Sequence, residues 1–514
     1  MSHHLKPHME HHKEPHMAPR HSDKEFEESM ALIDMNHLRY EAPESVCATS
    51  NANRNQINFN PNAYTVSGGE QPSLLLNVGS SFTDGQKSMI QLTMTVNCVA
   101  PSNAVYFAFG NNVPSSTSGN SYYNSNGSIL NLISEVNHQS KSGELLYREL
   151  YKNQTQTTSR LYKIDAQRRK YIGVMGSSEY FNGSWRFPVY PINQPVTFMI
   201  PLCELSSFFN TSQLIPPMLL SGSIMRLTIA PIATALVFYQ ANGTSLATGT
   251  IGLTNISLKS MVAYLHQSEL YDSVNSLILS SSASLEMNGL QYAYNTQFNT
   301  IFNPTSSTFN FDIQLSAAKI SSLVLKFVPK NAFTFPIPDG NLSTKQDPVA
   351  SASISDLALT AGTPGGDPNS LGFSVQIRLG NLVMPLFPIS SAVDMFQQTC
   401  NALNPISFSG CDDPDPLKTI NKLQAGVISY PEYCSVSPSA SNAQKNGAGT
   451  GATLFGFSFE RSSAVNIGGL SSNNARILSV EVQNMANSSN FQCIASVTYL
   501  QIANVSTDNI VVNR

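Results

Sequence analysis

Beyond residue 46 the chain contains two histidines, His138 and His266, so a Ser-His-Asp or Cys-His site in the body must use one of them as its base. His138 lies in the polar stretch Asn137 to Ser142 and His266 ends a strand-like run. Neither stands in a nucleophile motif, and both read as structural or exposed. The run Gly447, Ala448, Gly449, Thr450, Gly451 has the composition of a phosphate loop. It precedes a strand, however, whereas a phosphate cradle follows a strand and opens a helix whose amide end faces the anion, so it reads as a flexible loop. Asp412, Asp413 and Asp415 could gather around calcium, but Pro414 and Pro416 break the spacing of a calcium loop and no glutamate closes it. Glu144 and Glu149 could serve as the paired carboxylates of a glycosidase. On the helix predicted over Glu144 to Lys152 they miss the same-face spacing of three or four, and a solvated helix surface explains them. Arg168, Arg169 and Lys170, flanked by Tyr162 and Tyr171, form the densest basic spot of the body, a weak footprint for single-stranded nucleic acid and a better one for a loop or subunit contact. Trp185, the single tryptophan, could stack on a sugar; its large apolar area fits the anchor of a loop or interface better. No catalytic, cofactor-binding or metal-ligating residue is assigned, and no cofactor is expected.

Seven cysteines (Cys47, Cys98, Cys203, Cys400, Cys411, Cys434, Cys493) form an odd, scattered set without a Cys-x-x-Cys pair, which specifies neither a zinc site nor a disulfide framework. Reduced, mostly buried thiols are the expectation. Charged residues make up 12% of the 514, against roughly 25% in an ordinary soluble domain. Residues 1–45 hold five Lys and Arg against nine Asp and Glu, which accounts for the whole net charge of -4 and leaves a neutral body. Phosphate binding draws on clustered cations, so a direct or sequence-specific nucleic-acid role is disfavoured. The start, Met1, Ser2, His3, His4, shows neither a signal peptide nor a myristoylation glycine. The uncharged run Leu227 to Leu258 is broken by Pro231 and a polar Asn-Gly segment, and fits two strands and a turn better than a membrane span. Sequons such as those at Asn182 and Asn242 follow from the Ser, Thr and Asn content.

These side chains must be positioned by something, and the hydrophobic period says what. Residues 1–45 form an arm: seven of the ten histidines fall in its first 21 residues, without apolar periodicity, and a largely disordered tract is expected. A short amphipathic helix follows, with Ser22 and Glu25 as a capping box and Phe26, Met30 and Ile33 on one face, to be packed either on the chain's own body or on a neighbouring subunit. Past Val46 the period becomes two. Ile90, Leu92, Met94, Val96 and Cys98 alternate with polar residues, and the same pattern returns at Phe309 to Leu315, Phe455 to Phe459 and Leu478 to Val482. Long Gly, Pro, Ser and Asn-rich connections between strands indicate an all-β sandwich or barrel.

The order of elements repeats half a chain length on. Val196 to Leu202, Ile224 to Ile229 and Ile256 to Leu265 match Thr453 to Phe459, Ile477 to Val482 and Cys493 to Ile502. Upstream, a strand Ile129 to Val136 before the helix Glu144 to Lys152 matches a strand Phe373 to Leu379 before a helix Ser391 to Cys400. The expected fold is therefore all-β, two consecutive eight-stranded antiparallel jelly rolls with a few short helices. The first spans 46–268, a linker 269–284 and the second 285–514.

Met199, Ile200, Pro201, Leu202, then Glu204 to Phe209, Leu214 to Pro217 and the Ser221 to Ile229 strand resemble the late part of the first jelly roll in major capsid proteins of Polinton-like viruses, virophages and their relatives. The stretch Phe455 to Arg461, Ile467 to Leu470, the strands to Ile502 and the tail Asn509 to Val512 are similar to the end of their second jelly roll. The resemblance covers the whole β body, and the histidine-rich arm has no counterpart in it. It implies a double jelly-roll subunit standing roughly normal to an icosahedral shell around a DNA genome. Three copies would form a pseudo-hexagonal capsomer, joined by neighbouring capsomers and by penton and minor capsid proteins, in the virion, without catalysis. Whether a membrane lies beneath the shell is left open. The implied place for Phe26, Met30 and Ile33 is the inner face, tying capsomers together. The alternative is a carbohydrate-binding viral spike or lectin-like sandwich using Trp185 and tyrosine-rich loops; a glycoside hydrolase on a β-sandwich would need facing carboxylates.

Overall fold

A computed structural model describes residues 47–56, 63–65, 68–79, 81–99, 105–109, 128–155, 173–176, 179–181, 184–186, 189–211, 213–231, 235–240, 245–246, 252–270, 290–329, 370–403, 454–459, 471–472, 477–485, 488–505 and 510–513. Sixteen principal strands carry the architecture. The first eight are β1 (Cys47–Gln56), β2 (Ser73–Leu76), β3 (Phe82–Cys98), β4 (Ile133–Gln139), β5 (Leu145–Leu150), β6 (Pro195–Pro201), β7 (Ser223–Ile229) and β8 (Leu253–Leu270). The second eight are β9 (Leu290–Phe302), β10 (Phe309–Ile313), β11 (Ile320–Pro329), β12 (Ser370–Leu379), β13 (Leu382–Ser391), β14 (Phe455–Ser458), β15 (Leu478–Gln483) and β16 (Phe491–Val505).

Strands β1-β8-β3-β6 form one sheet and β2-β7-β4-β5 the facing one; β9-β16-β11-β14 and β10-β15-β12-β13 repeat both orders eight strands later. Each half is thus an eight-stranded jelly roll in which each of the eight principal strands has its counterpart in the other, and the first half adds a small sheet of Tyr190–Pro191, Val105–Phe109, Leu236–Gln240 and Ser245–Leu246. Period-two burial drives both sandwiches. In β3 the residues Ile90, Leu92, Met94, Val96 and Cys98 point inward, and in β10 and β15 Phe309, Phe311, Ile313 and Leu478, Val480, Val482 do the same. The register follows: Met94 stands opposite Val196 and Leu258, and Phe311 opposite Val480. Two hydrophobic clusters result, one centred in each roll.

The expectations for two segments need correction. Glu144 to Lys152 is not a helix: Leu145–Leu150 is the edge strand β5, and a helical turn occupies only 152–155. The run holds good helix formers, but antiparallel pairing of Val136 with Glu149 and His138 with Tyr147 overrides propensity. Ile129 to Leu132 is a 3-10 turn capped by the Ser128 hydroxyl, so β4 begins only at Ile133. The helix expected from Ser391 is present as Ala392–Leu403, directly after β13. Its first-roll counterpart is the turn at 152–155, which likewise follows β5. The segment expected as a linker lies outside the described residues except for 269–270, which end β8.

Gly456 in β14 shows how tightly the Ala392–Leu403 helix sits on the second roll. A Cβ there would lie 2.7 Å from Thr399 Cα, while the Gly456 N–H donates to Thr399 Oγ1 at 2.9 Å. Gly456→Ala should therefore lower stability by about 1–3 kcal/mol through overpacking, measured as a shift in the denaturant midpoint against wild type.

Candidate functional site

The place where the duplication becomes one body is the seam between the rolls. Residues directly opposite each other on paired strands share a face, and on β9 and β16 the pairs Tyr292 and Ala503, Tyr294 and Gln501, Phe298 and Val497, Phe302 and Cys493 lie on one face of the ribbon. That face serves two cores. Val497 and Cys493 belong to the second roll's cluster, with Phe298 and Phe302 packed against it, whereas Tyr292, Tyr294, Ala503 and Val505 belong to the first roll's cluster. Both tyrosines are fully buried, and the rings of Phe208, Tyr292 and Tyr294 pack with centroids 5.0–5.7 Å apart. Burial of such a ring stabilises by a few kcal/mol, and its hydroxyl must then find an acceptor, about 1 kcal/mol or more being lost otherwise.

The acceptors are backbone carbonyls of the first roll. Tyr294 donates to Leu146 O at 2.5 Å and Tyr292 to Phe208 O at 2.9 Å. Asn299, from the opposite face of β9, donates to Leu150 O at 2.6 Å, and Ser207 donates to Asn295 O at 2.5 Å. Lys326 on β11 is buried and donates to Gln154 O at 2.7 Å, at the end of the turn that follows β5. Among the described residues β5 ends its sheet, so its outward carbonyls have no ladder partner there, and side chains of the second roll supply one.

Behind this edge lies a buried ionic cluster. Glu149 and Lys152 are both fully buried, with Lys152 Nζ 2.6 Å from Glu149 Oε2. The same carboxylate accepts from Tyr147 Oη and, through Oε1, from Thr155 Oγ1 at 2.7 Å. Burial pushes the Lys152 ammonium below its ordinary range, while Glu149 and, more distantly, Glu204 and Cys203 hold it up. Burial and the Glu149 charge push the Tyr147 hydroxyl well above its ordinary value. Glu149 is therefore no part of a solvated helix surface: it is a sealed acceptor pairing a cation. The sequence signal was present but faint, a Glu and a Lys three apart beside an aromatic alternation.

His138 is also sealed. Its Nε2 lies 3.0 Å from Ser223 Oγ, its ring stacks on Phe209, and burial lowers its pKa to about 3. A Ser-His contact with both residues fully buried offers a substrate no access. Cys98, Cys203, Cys400 and Cys493 are free thiols, and burial raises Cys98 to about 11 and Cys493 further, which removes the thiolate that nucleophilic chemistry requires. A cavity in the first roll is lined by apolar side chains such as Ile90, Leu92, Ile200 and Met261. Among the described residues no three His, Cys, Asp or Glu side chains gather as a metal site, and no helix is long and apolar enough to cross a membrane.

No protein-family model and no curated protein matches the chain. Solved structures do. The PBCV-1 VP54 structure fitted into the virophage Sputnik reconstruction superposes with a TM-score of 0.53 at 10% identity, covering 91% of this chain and 97% of that one. The Faustovirus major capsid protein gives 0.51 at 9% identity, covering 90% and 92%, and the PBCV-1 virus capsid 0.50 at 11%, covering 91% and 97%. The fold is the double jelly roll of viral major capsid proteins. At such identities the likeness lies in topology and not in shared side chains, which makes the seam residues a property to be read from this chain alone.

Of the residues singled out by sequence, Phe26, Met30, Ile33, Arg168 to Lys170, Asp412 to Asp415 and Gly447 to Gly451 lie outside the described residues. Trp185 falls in a short strand, Ser184–Arg186, paired with Glu179–Phe181. Glu144 sits in the tight turn before β5, where Ser140 binds its backbone N–H, while Glu149 is in the ionic cluster; the two do not form a facing pair.

Two outcomes follow from the sealed groups. Lys152→Met should cost about 3–5 kcal/mol by leaving Glu149 buried and uncompensated, and the double variant Glu149→Leu, Lys152→Met should regain most of it, both read from denaturant midpoints. His138 binds its proton only near pH 3 when folded and near 6.5 when unfolded, so its stabilising contribution is complete above pH 6.5 and declines as pH falls towards 3. Between pH 7 and pH 5 this amounts to about 2 kcal/mol, a loss that His138→Gln should not show when unfolding is measured at both pH values.

Proposed function

We propose that this protein is the major capsid protein of an icosahedral DNA virus, and that three copies form a pseudo-hexagonal capsomer. The observation that carries the reading is the duplication: strands β1 to β8 and β9 to β16 repeat one topology, so three chains offer six similar units with which to tile a shell from one gene product. The reading takes 46–268 and 285–514 as the two rolls, 269–284 as their link and 1–45 as an arm. The low charge of the body suits wide contacts between subunits. In this scheme the arm lies on the inner face, with Phe26, Met30 and Ile33 bridging capsomers, and penton and minor capsid proteins complete the virion. The role is structural, without catalysis and without sequence-specific binding of the genome.

Light scattering on the purified protein, with negative-stain images of the same sample, tests this. The expected result is a compact trimer of hexagonal outline, or shells. A stable monomer that never assembles would sink the reading and turn attention to glycan binding. Deleting residues 1–45 should leave trimers intact and impair shells; unaltered shell assembly would remove the arm from the scheme.

A further inference from the structure

Among the described residues the seam within the chain has a counterpart that no strand covers. Strand β5 ends the sheet β2-β7-β4-β5, and β13 ends β10-β15-β12-β13 at the same topological position. On β5 the residues Leu146, Tyr147 and Glu149 are buried, and β9, the leading strand of the next roll, lies against the strand and donates to Leu146 O and Leu150 O. On β13 Leu386 and Phe387 are 77% and 78% exposed, the highest values among large hydrophobic residues described, with Leu382 and Val393 also exposed nearby.

The exposed pair is held out by construction. Val375 of β12 stands opposite Ile389 and Ile377 opposite Met384, so Pro385, Leu386, Phe387 and Pro388 together oppose the one residue Gln376. The two prolines have no N–H to offer a ladder, and Gln376 Nε2 donates to Pro385 O at 3.1 Å and Leu386 O at 3.3 Å, satisfying the bulge from within the sheet. The result is a fixed two-residue apolar knob on an edge that its equivalent in the first roll keeps covered.

We infer that the Leu386–Phe387 knob is the docking point for a second copy of this chain, whose first roll covers β13 with its leading edge strand β1 as β9 covers β5. The inference rests on the capsid reading and adds which surfaces meet. The repeat argues for this occupant: among the described residues β1 ends its sheet beside β8 as β9 ends its own beside β16. A chain whose second roll caps its own first roll leaves one first-roll edge and one second-roll edge uncapped, and joining these head to tail closes a ring when the rotation allows it. An apolar pair of this size at the centre of such a contact is the kind of anchor on which subunit affinity rests.

The test is the double variant Leu386→Asp, Phe387→Asp beside wild type, by light scattering over a dilution series with circular dichroism and thermal midpoint as fold controls. Both side chains are exposed in the single chain, so folding should be retained. With wild type trimeric, the expected result is a folded monomer whose association is weakened more than about 100-fold. A folded variant that trimerises like wild type would overturn the inference and leave the capsid reading standing. So would normal trimers that fail only in shell formation, which would place the knob between capsomers. A wild-type chain that is monomeric and never assembles would overturn the capsid reading first, and the inference with it. Should the variant misfold, Phe387→Ser alone, with the same readouts, decides between the same outcomes.

Discussion

One ribbon face has to satisfy two hydrophobic cores. Strands β9 and β16 pair over thirteen consecutive positions, from Leu290 with Val505 to Phe302 with Cys493, without a bulge. At one end that face closes the second sandwich and at the other it enters the first, where Tyr292, Tyr294, Ala503 and Val505 join the cluster of Leu146, Phe208 and Leu205. A single slip of register would turn every one of these side chains to the opposite face and expose both cores together. The two rolls are therefore coupled through backbone pairing, not merely through a patch of surface.

The polar arrangement at the seam follows from that constraint. Pressing a ribbon against an edge strand brings unpaired carbonyls out of water, and each needs a donor. Tyrosine and asparagine supply them at little loss of apolar area: Tyr294 fills the core and reaches Leu146 O, while Asn299 reaches Leu150 O. The Glu149 and Lys152 pair sits where the chain leaves β5, in a place where neither partner can reach solvent. Replacing such a pair by apolar residues is often neutral or stabilising, so its presence is no argument for stability. What it does is fix geometry: Tyr147, Thr155 and Lys152 must all converge on one carboxylate, which holds the turn at 152–155 where Lys326 can bind Gln154 O.

Much of the sandwich was legible in the sequence because period-two burial writes itself directly into residue type. Ile90 to Cys98 and Leu478 to Val482 could be read without structure, and the repeat of β6, β7 and β8 by β14, β15 and β16 showed in their spacing. Strand β5 was not legible. Its buried residues are Leu146, Tyr147 and Glu149, a mixture that alternation does not mark and that helix propensity misreads, and the donor that satisfies Leu146 O comes from a strand nearly 150 residues further on. The seam residues failed to stand out for the same reason. A tyrosine or an asparagine in a strand carries no sign of whether the surface it faces belongs to its own sandwich or to another, and the knob at Leu386 and Phe387 is a short apolar run like many that are buried.

The contrast between β5 and β13 is at bottom one of edge management. An open strand edge with apolar side chains is a template for uncontrolled pairing, and proteins blunt such edges with proline, bulges or a covering element. Here the two equivalent edges use different solutions. The edge that the chain itself covers pairs with β4 from Glu135 to Gln139 with a single shift of register between His138 and Gln139, and has no proline between Leu145 and Leu150. The uncovered edge carries Pro385 and Pro388 around its most exposed apolar pair, and turns a glutamine from the neighbouring strand onto the carbonyls they leave. Backbone pairing with an arbitrary strand is thereby denied at the bulge, while the side chains stay on offer. A surface that merely had to remain soluble would meet the same need more simply with charge, and β13 carries none from Leu382 to Ser391.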